Sequence, residues 1–305
     1  MRPLPPTDPD FGDARAADLV EHILLPRARD LGGFTVGRVL PSAQRQMVGP
    51  FIFLDTFGPG EMLVTEKFDV RPHPHIGLAT VTYINAGRLV HRDSVGSEQE
   101  IVPGDVNWMT AGKGIAHSER ARPGDRGQMQ PFGGFQTWVA LPRDHEETAP
   151  TFFHHPKAAL PEIGADGVSV RLIVGSLYGA RSPVETFSEM FYADVTMAAG
   201  AVLPVESEHE ERAVFILSGD VEVGGDRFAA GRLLVFRPGD RLALRAVADA
   251  RLMLLGGEPM DGPRHIWWNF VSSSKERIAA AKADWAAGRF DKVFGDEEEF
   301  VPAPG

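Results

Sequence analysis

The 305-residue chain contains no cysteine. Neither a disulfide framework nor a thiolate metal site can form, so any metal has to be held by histidine and carboxylate. Positive charge is also scarce: 31 Lys plus Arg stand against 42 Asp plus Glu, giving a formal charge of −11, and no dense Lys/Arg cluster occurs. That balance argues against direct affinity for nucleic-acid backbones or anionic membranes. No stretch approaches the roughly 18 apolar residues of a membrane span. The opening MRPLPPTDPDFGDARAADL carries prolines and acids where a secretory signal needs an apolar core. The sequence therefore predicts a soluble, cytoplasmic protein that does not associate with membranes.

What is present is turn chemistry. The 33 glycines and 24 prolines punctuate many short apolar runs, among them FTVGRVL (34–40), FIFLDTF (51–57), LATVTYI (78–84) and DVNWMT (105–110). Short strands between Gly/Pro turns predict an all-β chain of sandwiches or barrels. The expected organisation is a leader over 1–30 with one amphipathic piece at ADLVEHILL, then a first barrel over 31–142. A charged, proline-containing linker follows over 143–167, then a second barrel over 168–262 and a helix with an acidic tail over 263–305. For that helix the sequence predicts a capping box at Ser273 and Glu276, an apolar stripe at Ile278, Ala281 and Trp285, and a stop at Gly288.

Two barrels are suggested by an internal repeat. TYINAGRLV aligns Gly87 with Gly219, and IVPGDVNWM aligns Gly104 with Gly239, offsets of 132 and 135 residues. Carried forward, the first offset places Val205 and Ser207 opposite His73 and His75. The second places Leu252 and Leu254 opposite His117 and Glu119. On this alignment the second barrel holds no metal.

The chemistry lies in RPHPHIGLATVTYINAG, residues 71–87. Alternate side chains of a strand share a face, so His73 and His75 point the same way with Cα atoms roughly 6–7 Å apart. Pro72 and Pro74 argue for an edge position or a bulge. In MTAGKGIAHSER the spacing recurs as His117 and Glu119. If the two segments are neighbouring strands, three imidazoles and one carboxylate converge, a set that suits Fe(II), Mn, Co, Ni or Zn. The bland reading of Glu119 is a surface partner for Arg120 or Lys113. His154 and His155, being consecutive, face opposite ways and predict a surface loop. His91 stands either beside the site or in solvent, and His209 lies in a solvated charged run, ESEHEER. Trp108, Met109 and Phe135 are candidates for a pocket wall, or ordinary core.

Taken together, PHPHIGLATVTYI, HRDS, PGDVNWMTAGKGIAHSER and FILSGDVEV followed by RPGD resemble the pirin family of the cupin superfamily, over about residues 30–290. The resemblance implies a bicupin: two tandem cupin β-barrels with a C-terminal helix and one iron in the first barrel. It implies metal ligation by His73, His75, His117 and Glu119, with Glu119 also able to take a substrate proton. It further implies quercetin 2,3-dioxygenase activity on a small aromatic substrate with O2. The alternative is an iron-dependent redox-sensing regulator acting through a protein partner, and a weaker one is a cupin isomerase or sugar-modifying enzyme. Many members read H-P-H-R-G-F-E-T; here Ile76, Leu78 and Ala79 stand for Arg, Phe and Glu. The lost glutamate leaves Glu119 as the one carboxylate assigned to the site.

Overall fold

The computed structural model describes residues 16–30, 34–206, 208–239 and 241–304. The chain gathers into two compact units. One takes the described residues up to Pro26, Val39–Phe51 and Ala158–Pro259; the other takes Arg27–Arg38, Ile52–Lys157 and the residues from Met260 onward. The fold is all-β, as the alternating runs predict. Among the described residues the one helix longer than a turn is Lys275–Ala286, and no helix is long and apolar enough to cross a membrane.

Each unit is built on one large and one small antiparallel sheet. In the unit that carries the histidines, the large sheet runs Thr151–His155, Val106–Thr110, Leu78–Ala86, Met129–Ala140, Phe51–Leu63, Thr35–Leu40, Arg27–Asp30. Its small sheet runs Val70–His75, Ile115–Arg120, Leu89–Asp93, Glu98–Ile101. In the other unit the large sheet runs Val20–Leu24, Arg232–Phe236, Glu211–Ser218, Ala250–Gly257, Met190–Met197, Val168–Leu177, Glu162–Ala165. The small sheet there runs Val202–Val205, Leu242–Ala246, Asp220–Val223, Asp226–Ala229. The two orders correspond, except that the end strand of the large sheet follows the others in the chain at Thr151–His155 and precedes them at Val20–Leu24, and that Ala180–Arg181 adds a short strand to the second large sheet alone. The piece at ADLVEHILL is thus a single helical turn, Ala16–Leu19, running into a strand, Val20–Leu24, and strands also occur within 143–167, at Thr151–His155 and Glu162–Ala165.

The duplication is real, and its register follows the first turn signature but not the second. Leu89, two residues after Gly87, pairs with Ile101, and Val221, two residues after Gly219, pairs with Phe228, so His91 matches Val223. Across the first small sheet His91 pairs with Glu119 and His117 with Asp93 and His73; the Val221–Ala246 register carried along the other sheet sets Val223 opposite Leu244, and Leu242 pairs with Val205. The counterparts are therefore Val205 for His73, as the first offset has it, Leu242 for His117 and Leu244 for Glu119. Of the residues expected there, Ser207 lies outside the described residues, and Leu252 and Leu254 belong to the large sheet. The error came from the PGD turn. In the first unit it precedes Val106–Thr110, whereas at 238–240 it follows Arg232–Phe236, so Gly104 corresponds to Gly231 rather than Gly239. The conclusion survives the correction, because Val205, Leu242 and Leu244 are all buried in one continuous apolar core.

The helix Lys275–Ala286 begins one residue later than the capping-box reading placed it. Ser274 is the N-cap, its Oγ accepting from the Arg277 amide, while the Ser273 amide donates to buried Glu146 at 2.8 Å. Ile278 and Ala281 pack against Ile76 and Phe270, with Trp285 half-buried beside them. This joins the helix to the strands that carry the histidines.

Gly77 is the tightest point of that junction. Its φ of +68° is left-handed, and a Cβ there would sit 2.0 Å from the Val271 carbonyl oxygen. Backbone strain and overlap act together, so Gly77→Ala is expected to destabilise the protein by roughly 3 kcal/mol. A drop in the urea midpoint with an unchanged m-value checks it.

Candidate metal centre

Val70–His75 is the edge strand of its small sheet, hydrogen-bonded only to Ile115–Arg120. An edge is where Pro72 and Pro74, which lack an N–H, are tolerated. The open edge is in turn covered, the Val301 amide donating to the Pro72 carbonyl at 2.8 Å. With the strand fixed, His73 and His75 share a face, and antiparallel register sets His117 directly opposite His73. The ring centroids are 5.1 Å apart for His73 and His75, 4.3 Å for His73 and His117, and 5.0 Å for His75 and His117. One ring nitrogen from each lies within 4.8 Å of the others, and among the described residues this is the one such grouping.

The backbone orients two of these rings. His73 Nδ1 lies 2.9 Å from the Arg71 carbonyl oxygen and His75 Nδ1 lies 3.1 Å from that of Asn269. A carbonyl only accepts, so both rings carry the proton on Nδ1 and leave an Nε2 lone pair for a cation. His117 Nε2 is buried without any hydrogen-bond partner, an unmet need that a cation would satisfy. The residues therefore fit a transition-metal ion.

Glu119 lies outside that imidazole grouping. A bulge between His117 and Glu119 shifts the register against Val70–His75 and so re-aims the glutamate side chain. Its carboxylate lines the same pocket as His73 and His75. Burial raises its pKa, and the neighbouring His91 and the Thr82 hydroxyl pull the other way. Thr82 Oγ1 is 3.2 Å from Glu119 Oε1 and 2.8 Å from Gln136 Oε1. A single hydroxyl hydrogen serves both contacts when the Gln136 amide turns its NH2 toward Thr82. Arg120 does not pair with Glu119; it is engaged by Asp69, Asp296 and Glu299.

The pocket beside the imidazoles has a volume of about 230 Å³, at the small end for ligand sites. Its wall is aromatic, formed by Phe34, Phe53, Phe57, Phe132, Trp138 and Trp268. Trp108, Met109 and Phe135 are not part of it; they are core, at 2%, 1% and 0% exposure. The reason for Phe135 is parity: on Met129–Ala140 the even positions Phe132, Gln136 and Trp138 face the pocket, so the odd one faces away. Parity also places Ala79 opposite Val139, on the other face from the Thr82–Gln136 pair, so the family glutamate missing there is not a loss from this pocket. A second carboxylate does line it: Asp55, which binds Arg38 through both oxygens at 2.9 and 2.8 Å. Arg38 also covers the Phe53 ring, which stacks on Trp138 at 3.9 Å. A charged residue inside FIFLDTF was the signal that could have found Asp55.

The other histidines resolve differently from expectation. His91 is buried, at 4% exposure, beside His117. His154 and His155 lie in a strand rather than a loop, His154 Nδ1 bonding Asn107 Oδ1 at 2.8 Å. His209 is 9% exposed, its Nε2 3.3 Å from the Ser176 carbonyl oxygen, rather than solvated.

Burial governs the charge of the cluster. It pushes the His73 pKa down to about 4 and holds His75 and His117 well below the ordinary imidazole value, the neighbouring histidines adding to the effect. Between pH 6.5 and 4 the folded protein thus binds fewer protons than the unfolded chain. The corresponding stability is complete above about pH 6.5 and declines as the pH falls toward 4, by about 3 kcal/mol for His73 alone. Urea unfolding of metal-free protein across this range is expected to show the decline; a loss confined to the carboxylate range below about pH 5 would contradict it.

Comparison with known proteins agrees with this architecture. The Pirin family model matches residues 33–139, and that of the Pirin C-terminal cupin domain matches residues 192–291. A pirin-like protein of Caulobacter vibrioides is 47% identical over 289 residues, spanning 94% of this chain and all of that one. The crystal structure of quercetin 2,3-dioxygenase from Acinetobacter baumannii superposes with a TM-score of 0.85 at 31% identity, covering 93% of this chain and 95% of that one. A bacterial pirin from Escherichia coli, solved in complex with nickel(II), shares the fold alone, with a TM-score of 0.63 at 15% identity over 78% of this chain and 99% of that one. The duplicated barrels are cupins, and the chain belongs to the pirin family.

Proposed function

We propose that the chain is a metal-dependent dioxygenase of flavonol-type substrates, with His73, His75 and His117 holding iron(II) and Glu119 completing the set. The observation that carries this reading is the convergence of three buried, uncharged imidazoles at the wall of an aromatic-lined pocket. The likeness to the A. baumannii quercetin 2,3-dioxygenase supports the substrate class. Bound there, iron(II) supplies Lewis acidity toward a substrate hydroxyl and the electron chemistry that O2 requires, and Mn, Co, Ni or Zn suit the same donors.

The chain's own residues do the rest. Phe53, Phe132, Trp138 and Trp268 hold a planar ring system and exclude water from it. Glu119 Oε1, oriented by Thr82 Oγ1, accepts the proton of the substrate hydroxyl, and its raised pKa brings it nearer the working range of a general base. Arg38 and Asp55 neutralise each other at the wall, so the pocket offers no net charge there to a neutral aromatic ligand.

Iron-loaded protein is expected to consume O2 with quercetin, and His75→Ala to abolish the uptake. Glu119→Gln is expected to lower the rate about 10²- to 10⁴-fold while leaving the fold intact. An oxygen electrode gives the measurement. No uptake by the wild-type protein, or equal uptake by His75→Ala, overturns the reading.

A further inference from the structure

His117 differs from the other two imidazoles in what its Nδ1 meets. His73 and His75 face carbonyl oxygens, which can only accept, whereas His117 Nδ1 lies 3.4 Å from Nδ1 of His91, the long end of hydrogen-bond range. A histidine nitrogen can either donate or accept, so His91 does not by itself decide which nitrogen of His117 carries the proton.

The decision lies one residue further back. His91 Nε2 is 3.0 Å from Asp93 Oδ2. Asp93 is fully buried, and its other oxygen, Oδ1, accepts from the amides of Val95 at 3.0 Å and Ser97 at 2.9 Å. Amides can only donate, so the carboxylate is held as an acceptor and cannot turn. Nε2 of His91 therefore carries the hydrogen and, in the neutral ring, Nδ1 is bare. It must accept from His117 Nδ1–H, which leaves His117 Nε2 with a free lone pair, and that is the buried atom without a partner. Phe152 stacks on the His91 ring at 4.3 Å and 14° and fixes its plane.

We propose that Asp93 and His91 are a positioning pair that sets the tautomer of His117 and so presents its Nε2 to the cation. Neither residue touches the cation. The proposal rests on the metal-site reading for its purpose, though the proton positions exist without a metal.

Asp93→Asn is nearly isosteric and gives a sharp test. The two amides still require an acceptor, so the new side chain keeps its oxygen on Val95 and Ser97 and turns its NH2 toward His91. His91 then has to accept at Nε2 and donate from Nδ1, which drives the His117 proton to Nε2, just as the equivalent change in a serine-protease triad imposes the wrong tautomer. Nickel(II) affinity, measured by competition with a chromogenic chelator, is expected to fall about 10- to 100-fold. His91→Leu is expected to fall similarly, and His91→Asn, whose side-chain oxygen can still accept from His117 Nδ1–H, to recover most of the loss. A long-range 15N–1H spectrum of the metal-free wild-type protein needs no variant: His117 is expected protonated on Nδ1, and on Nε2 in Asp93→Asn. A wild-type His117 protonated on Nε2, or equal nickel affinity in all four proteins, overturns the pairing. If the wild-type protein binds no nickel, the metal-site reading fails while the spectrum still decides the tautomer.

Discussion

Three imidazoles packed against one another disfavour charge, because protonated rings repel each other, and this chain strengthens that by withdrawing them from water. His73, His75 and His117 are all less than a tenth exposed, and each would repel the others on protonation. Much of the surrounding structure follows from that requirement. The prolines on the outer strand, the carbonyl oxygens of Arg71 and Asn269 and the aromatic wall each either fix a ring or keep solvent from it. Burying a polar group is costly unless its hydrogen bonds are met, and His117 Nε2, buried without a partner, is an atom that a cation would satisfy.

The second unit shows what the same sheets become without that requirement. Its strand order largely matches the first, yet where the first unit has His73, His117 and Glu119 it holds Val205, Leu242 and Leu244. Val223 stands where the first unit has His91, two residues beyond the matched pair Leu89 and Val221. Filling the space with hydrocarbon removes the desolvation cost of buried histidine and needs no supporting hydrogen bonds. One barrel thus holds the histidine cluster, and the other carries an apolar core in the same place.

How much of this was legible depended on how local the information was. The two i, i+2 pairs exposed the imidazoles, because strand periodicity is short-ranged and the residue types are rare. The barrels were legible from turns and alternation. The repeat register was legible only in part: the offset from Gly87 to Gly219 holds, but the PGD turn recurs between different pairs of strands, and only hydrogen-bonded pairing reveals that shift. The pocket wall was misread by one residue of parity at Phe135, with Gln136 and Trp138 facing inward instead. Asn269 could not have been found at all, since nothing near it in the sequence marks a carbonyl that bonds a histidine 194 residues away.

That last contact bears on the order of events during synthesis. The hairpin His265–Trp267 and Phe270–Ser272, whose turn contains Asn269, leaves the ribosome only after the whole of the other barrel has been made. Until then His75 has no acceptor for its Nδ1–H, and the ring is free to rotate. A nascent chain can form the strands of its first barrel early, but a ring oriented for ligation appears only near the end of translation. The orientation of the His75 ring thereby depends on a residue from the last part of the chain to be made.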